Sequence, residues 1–277
     1  MSLMLKSLSI LIILVSSIFA NAQIDKKALD YAKKKFSTND RVQIKEISIG
    51  MKKEFEEGWY GYILEIGAQV DGRNVRAKDV IFTNGTLVSS ELINISNNNS
   101  YKDIMKPLLS EKYYNPKHLI AGNANAKHKI VVFSDPLCPF CIEYVPELIK
   151  DVKKNPNTFA LYYYHFPLLR LHPDANVITK AMHIATTQGV KDVTLKTYTA
   201  QFYEHLKANK NPDQAVLNVF NNALGTKITL AQINDPMVHK AISYDVMMGE
   251  EAMVEGTPTV FFDGAYDKSR YQYDRIK

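Results

Sequence analysis

The 277-residue chain sets 34 Lys and Arg against 29 Asp and Glu, a formal charge of +5, with the two signs interspersed along its length. That balance argues against a nucleic-acid binder, which needs its cations gathered on one surface. Two cysteines, Cys138 and Cys141, cannot build the framework of a disulfide-stapled domain.

Residues 1–22 read as a cleaved secretory signal. Lys6 precedes an unbroken apolar stretch from Ile10 to Val15, and Ala20-Asn21-Ala22 has the small-x-small form of a peptidase site. The apolar stretch is shorter than the roughly 18 to 20 residues that span a bilayer, and no later stretch suffices, so the mature chain is expected to be soluble. About 250 residues then remain, enough to expect two domains.

The first helix is predicted around Lys26-Lys27 and Lys33-Lys34-Lys35. Ala28, Leu29, Ala32 and Phe36 form one apolar stripe there, which makes the lysines a solvated face. Strands follow at Arg41 to Ile49, Tyr60 to Val70 and Val75 to Phe82. In the second, Tyr60, Tyr62, Leu64, Ile66, Ala68 and Val70 alternate with the opposite face, the period of a half-buried antiparallel strand. Asn84-Gly85 is a hairpin turn into Thr86 to Ser89, and the polar run Ser96 to Ser100 is expected to close the sheet. A helix should run from Tyr101 towards Leu109. These residues, 23–111, make a small helix-plus-antiparallel-sheet domain, and 112–129, with Pro116 and Gly122, read as a linker.

From Ile130 to 277 the pattern changes. Ile130-Val131-Val132-Phe133 suits a buried strand, and Asp135-Pro136 breaks it as a turn starter. Cys141, Val145, Leu148, Ile149 and Val152 then lie on one stripe of a helix opened by Pro139, with a kink expected at Pro146. Phe159 to Phe166 is the next strand. Helices are expected from His172-Pro173 to Gly189, after a cap at Asp192, from Asn211-Pro212 to Gly225, and from Asp235-Pro236 onward. Thr257 to Phe262 with Asp263-Gly264 is a strand entering a hairpin.

The dithiol therefore sits where a strand passes into a helix. Disulfide exchange needs a thiolate, and a helix N-terminus supplies unpaired N–H groups and a favourable dipole that lower a thiol from about 8.5 to roughly 3.5–7.5. Cys138 occupies that position. Cys141, one turn in, should be more buried and act second. Phe140, between them, adds no cation, so the pair is expected to be less oxidising than one with His there. C-x-x-C also serves zinc, but here two further ligands would have to come from His165, His172, His183 or elsewhere, so redox chemistry is the stronger reading. Met247, Met248, Met253 and Tyr162, Tyr163 and Tyr164 are expected mainly in the core.

Phe133-Ser-Asp-Pro-Leu-Cys-Pro-Phe-Cys141 resembles the strand-to-helix junction of the thioredoxin superfamily, in particular the bacterial periplasmic Dsb proteins. Gly256-Thr257-Pro258 resembles the cis-proline loop of the same fold, about 117 residues from the dithiol. Thr before the proline is similar to the DsbC and DsbG isomerases, although the spacing between the motifs is closer to the helical insertion of DsbA. The resemblance implies an α+β protein: a thioredoxin-like catalytic domain with a helical insertion after a cystatin-like domain. It further implies periplasmic thiol:disulfide interchange on unfolded or misoxidised exported proteins, with isomerase, oxidase, reductase and chaperone-like roles all open. Cys138 and Cys141 would be catalytic, and Pro139, Phe140, Thr257 and Pro258 would contact substrate. No cofactor is implied beyond a redox-active Cys138–Cys141 disulfide. A membrane redox partner and a homodimer follow from the same resemblance.

Overall fold

The alternation in Tyr60–Val70 gives that strand one face to bury, and the helix before it provides the cover. In the computed structural model the described residues are 21–38, 41–202, 206 and 211–276. They fall into two compact units, the first ending at Lys106 and the second spanning Pro107–Lys277. The expected leader lies outside the described residues except for Asn21 and Ala22, which are helical. No helix among the described residues is long and apolar enough to cross a membrane.

In the first unit, helix α1 (21–36) is followed by β1 (Val42–Glu54), β2 (Tyr60–Val70), β3 (Arg73–Thr83) and β4 (Val88–Ser89), an antiparallel sheet in that order. Ala28 and Ala32 of α1 pack on Tyr62, Leu64, Ile66, Ala68 and Ile81. Asp25 anchors the helix, accepting from the Tyr62 hydroxyl at 2.7 Å and from Lys52 at 2.6 Å. Asp71 and Gly72, at φ +49° and +80°, supply the two left-handed residues of a tight β2–β3 hairpin.

The segment after the sheet departs from expectation. Ser96 to Ser100 does not close it. β5 (Ile93–Asn94) and β6 (Asn99–Ser100) form a separate two-stranded ladder. Asn94 and Asn97 accept from Ser96 N and Asn99 N, local bonds that compete with sheet pairing. Helix α2 spans only Tyr101–Ile104 rather than reaching Leu109, because Pro107 disfavours helical geometry in the residue before it.

The second unit is built on a five-stranded sheet of order β11-β10-β8-β9-β7. β7 (Leu119–Gly122) is its edge strand, so residues 112–129 are not a linker: they supply β7 and the first two residues of β8 (His128–Ser134). Pro116 and Gly122 suggest a connector by composition, but Pro116 precedes a strand of which Gly122 is the last residue. Helix α3 (Pro139–Lys154) crosses from β8 to its parallel neighbour β9 (Phe159–His165). α3 runs through Pro146 without interruption, with Lys153 and Lys154 in the last turn, where they suit the helix dipole. Then come α4 (Ala175–Thr187), α5 (Val193–Thr199), α6 (Asp213–Leu224), α7 (Leu230–Ile233) and α8 (Pro236–Glu251), before β10 (Thr259–Phe262) and β11 (Ala265–Tyr266).

β8 reads as continuously apolar because both its faces are buried. Ile130 and Val132 join the core beneath α3, while Val131 and Phe133 join the one beneath α8, with Met248 and Ala252. Tyr162, Tyr163, Tyr164, Met248 and Met253 are core residues; Met247 is exposed. Asp192 precedes α5 but does not cap it. It adopts a left-handed conformation, and its carboxylate pairs with Lys153 instead. The unexpected α7 carries a full capping box between Thr229 and Gln232.

Gly122 joins β7 to the rest of the sheet at φ +78°, where a Cβ would lie 1.9 Å from the Phe159 carbonyl oxygen. Gly122→Ala should destabilise the second unit by about 3 kcal/mol or more. Gly189→Ala, at φ +82° with nothing within 4 Å, should cost only about 1–2 kcal/mol. Urea unfolding followed by circular dichroism checks the contrast; equal losses would show that the Gly122 backbone is not so constrained.

Candidate active site

β8 and β10 pair antiparallel, with Phe133 opposite Thr259. The turn that leaves β8 and the turn that enters β10 therefore lie side by side, which brings Cys138 to Thr257. The Cys138 sulfur lies 3.3 Å from the Thr257 carbonyl oxygen, to which the thiol donates. The Thr257–Pro258 peptide is cis.

Cys138 stands at the N-cap of α3 in extended conformation and Pro139 is the first helical residue, a position where its missing N–H leaves nothing unsatisfied. Both thiols are free; Cys138 is 4% exposed and Cys141 fully buried. Phe140, between them, projects outward with 66% exposure.

The two thiols are opposite in acidity. Cys138 is drawn down to about 5, first by a hydrogen bond from the Cys141 thiol, against the cost of burial, then by the Cys141 N–H, the Thr257 side chain and the Phe140 N–H. The sequence pointed to the helix terminus alone; the neighbouring thiol adds a hydrogen bond of its own. The Thr257 hydroxyl is buried without another partner among the described residues, so it is free to donate to a thiolate. Cys141 is pushed up, chiefly by burial and then by its bond to Cys138, with the Ser134 hydroxyl and the Asp135 backbone acting the other way.

Asp135, fully buried, does more than start a turn. Its Oδ1 accepts from Leu137 N at 2.8 Å, closing the loop before Cys138. Its Oδ2 accepts from Leu168 N and from His172 Nδ1, each at 2.8 Å. One carboxylate thus ties the dithiol loop to the segment after β9. His172, taken from sequence as a helix start, is part of that tie.

Sequence reasoning missed a second group. Ser134 at the end of β8 lies 2.7 Å from the Tyr198 hydroxyl on α5, which in turn lies 2.9 Å from the Tyr163 hydroxyl on β9. The three residues sit on separate elements and no spacing marks them. His165 closes β9 as expected, is buried and is held neutral, its acidity shifted to about 4 chiefly by burial. Among the described residues no group of three or more His, Cys, Asp or Glu side chains is placed to hold a metal ion.

Residues 114–277, more than half of the chain, match the family model described as Thioredoxin. The chain belongs to the thioredoxin family. Comparison with the curated proteins gives no match. Among solved structures, a thioredoxin-like oxidoreductase from Silicibacter pomeroyi is 18% identical with a TM-score of 0.48, covering 61% of this chain and 97% of its own. Oxidised BdbD from Bacillus subtilis is 15% identical with a TM-score of 0.46, covering 62% and 92%. The catalytic domain of Proteus mirabilis ScsC is 18% identical with a TM-score of 0.43, covering 60% and 89%. Within the family frame, the dithiol at the start of α3 and the loop before β10 are the elements that face one another.

Alkylation should separate the thiols. In the reduced protein Cys138 should react with iodoacetamide with a rate that rises through about pH 5, while Cys141 stays silent until the chain is unfolded. A thiol whose folded acidity lies below the unfolded value of about 8.5 stabilises the fold fully above that value and loses the contribution as pH falls towards 5. The dithiol form should therefore gain stability over Cys138→Ala as pH rises from about 5 to about 8.5. A pH-independent difference would contradict the assignment.

Proposed function

We propose that this protein is a periplasmic thiol:disulfide oxidoreductase acting on unfolded or misoxidised exported proteins. The observation that carries this reading is the pair of unequal thiols at one helix start, with the acidic Cys138 against the Thr257 carbonyl. Cys138 attacks a substrate disulfide and forms a mixed disulfide, releasing the first substrate thiol; Cys141 then attacks the Cys138 sulfur, closing the Cys138–Cys141 disulfide and releasing the second. Thr257 and Pro258 align an extended peptide beside the dithiol, and Pro139 and the exposed Phe140 contact it.

Phe140 supports an isomerising role over a strongly oxidising one, because no cation between the cysteines holds the thiolate further down. Thr257 before the proline and a small separate unit ahead of the thioredoxin-like one support placement with the DsbC and DsbG group. On this reading the leader is cleaved, the first unit dimerises the protein, a membrane redox partner recharges the dithiol, and the disulfide is the only redox group needed.

Cys141→Ala should trap substrates as mixed disulfides through Cys138, visible on non-reducing gels of periplasmic extracts. Absence of reducible adducts that also require Cys138 would overturn the proposal. Phe140→His should make the pair more oxidising by about 30 mV or more, measured by equilibration with glutathione. Alkylation of the thiols in living cells decides the direction: mostly reduced for an isomerase or reductase, mostly oxidised for an oxidase.

A further inference from the structure

The resolving step asks a buried thiol to become a nucleophile. Cys141 has no exposure, and burial pushes its thiol upward. The nearby carboxylate is not free to help: Asp135 is engaged by Leu137 N, Leu168 N and His172, and it is the Asp135 backbone, not its side chain, that favours the Cys141 anion.

What does face Cys141 is a run of hydroxyls. Ser134, whose side-chain hydrogen bond favours the anion, is fully buried and lies 2.7 Å from Tyr198. Tyr198, 2% exposed, lies 2.9 Å from Tyr163, which is 3% exposed. The Tyr163 hydroxyl has no other hydrogen-bond partner among the described residues.

Proton accounting gives the run a direction. Three hydroxyls carry three protons, and two are used in the two links between them. If the run pointed from Ser134 towards Tyr163, the last proton would be buried on Tyr163 with no acceptor, an unsatisfied donor in the core. If it points the other way, Tyr163 donates to Tyr198, Tyr198 to Ser134, and Ser134 to the Cys141 sulfur. Every proton is then placed, and the sulfur receives a donor already polarised by two others.

We propose that Ser134, Tyr198 and Tyr163 form a positioning network that presents a hydrogen-bond donor to Cys141 and holds its thiolate while the mixed disulfide is resolved. The network solvates the anion and takes up no proton, since both tyrosines are strongly held in the protonated form by burial. In the step, the Cys141 sulfur gives an electron pair to form the Cys138–Cys141 bond. The Cys138–substrate bond breaks, its pair leaves on the substrate sulfur, and that sulfur takes the proton given up by Cys141. The protein dithiol is oxidised by two electrons and the substrate disulfide is reduced by two. Tyr198 belongs to the helices inserted between β9 and β10, so this insertion contributes to the chemistry as well as to the core.

The inference rests on the proposed exchange reaction, and one experiment separates the two. A chromogenic aromatic disulfide reports each leaving thiolate, so the full-length reduced protein should give two phases, attack by Cys138 and then resolution by Cys141. Absence of a second phase in the parent that Cys141→Ala removes would reject the exchange reading itself. Given two phases, Tyr198→Phe and Ser134→Ala should slow the second about tenfold or more at neutral pH and displace its pH profile upward by about one unit. The first phase should change by less than about twofold. Tyr163→Phe, which leaves Tyr198 able to donate to Ser134, should slow the second phase less than either, by about two- to fivefold. An unmoved second-phase profile in Tyr198→Phe and Ser134→Ala would overturn the inference, as would equal slowing of both phases, the mark of a merely structural role.

Discussion

The antiparallel register that sets Phe133 of β8 against Thr259 of β10 is the constraint on which the site depends. It places the turn into α3 beside the turn into β10, and no local preference of either turn would do so. β8 holds that register because both faces of the strand are buried, so a slip by one residue would exchange the environments of Ile130 and Val132 with those of Val131 and Phe133. The pairing depends on the core, and the site depends on the pairing.

Around that pairing the chain spends its buried polar groups on position rather than charge. Asp135 gathers two backbone amides and His172, fastening the dithiol loop to the segment beyond β9. Each of those donors would otherwise lie close to the core unsatisfied, so the carboxylate and its partners stabilise one another. The same economy appears in Ser134, Tyr198 and Tyr163, whose buried hydroxyls bond to one another. The two cysteines, three residues apart, thus have different environments: Cys138 has amide donors and a neighbouring thiol, and Cys141 has the core.

Much of this was legible in the residues. The half-buried period of Tyr60–Val70, the buried run at Ile130 to Phe133, Pro139 at a helix start and the Asp263-Gly264 turn each have a local physical cause, and each reads correctly from the chain. The errors lie where tertiary contacts, or local side-chain bonds, overrule composition. Leu119–Gly122 looks like a connector because Pro116 precedes it and Gly122 ends it, yet the open edge of β9 recruits it as a strand. Asp192 has the composition of a cap, but Lys153 on another helix claims its carboxylate. Ser96 to Ser100 turns on its own Asn side chains rather than pairing with the sheet.

The sequence by itself determined that the chain carries one dithiol at a strand-to-helix junction and which cysteine stands at the helix start, because helix capping and apolar periodicity act over a few residues. Only the tertiary structure decided what surrounds that dithiol. The Thr257 carbonyl, the bonds from Leu168 and His172 to Asp135 and the hydroxyl run behind Cys141 join residues separated by up to 119 positions. Their encounter is set by sheet register and helix packing, and hydrogen bonding acts only on groups that packing has already brought within reach.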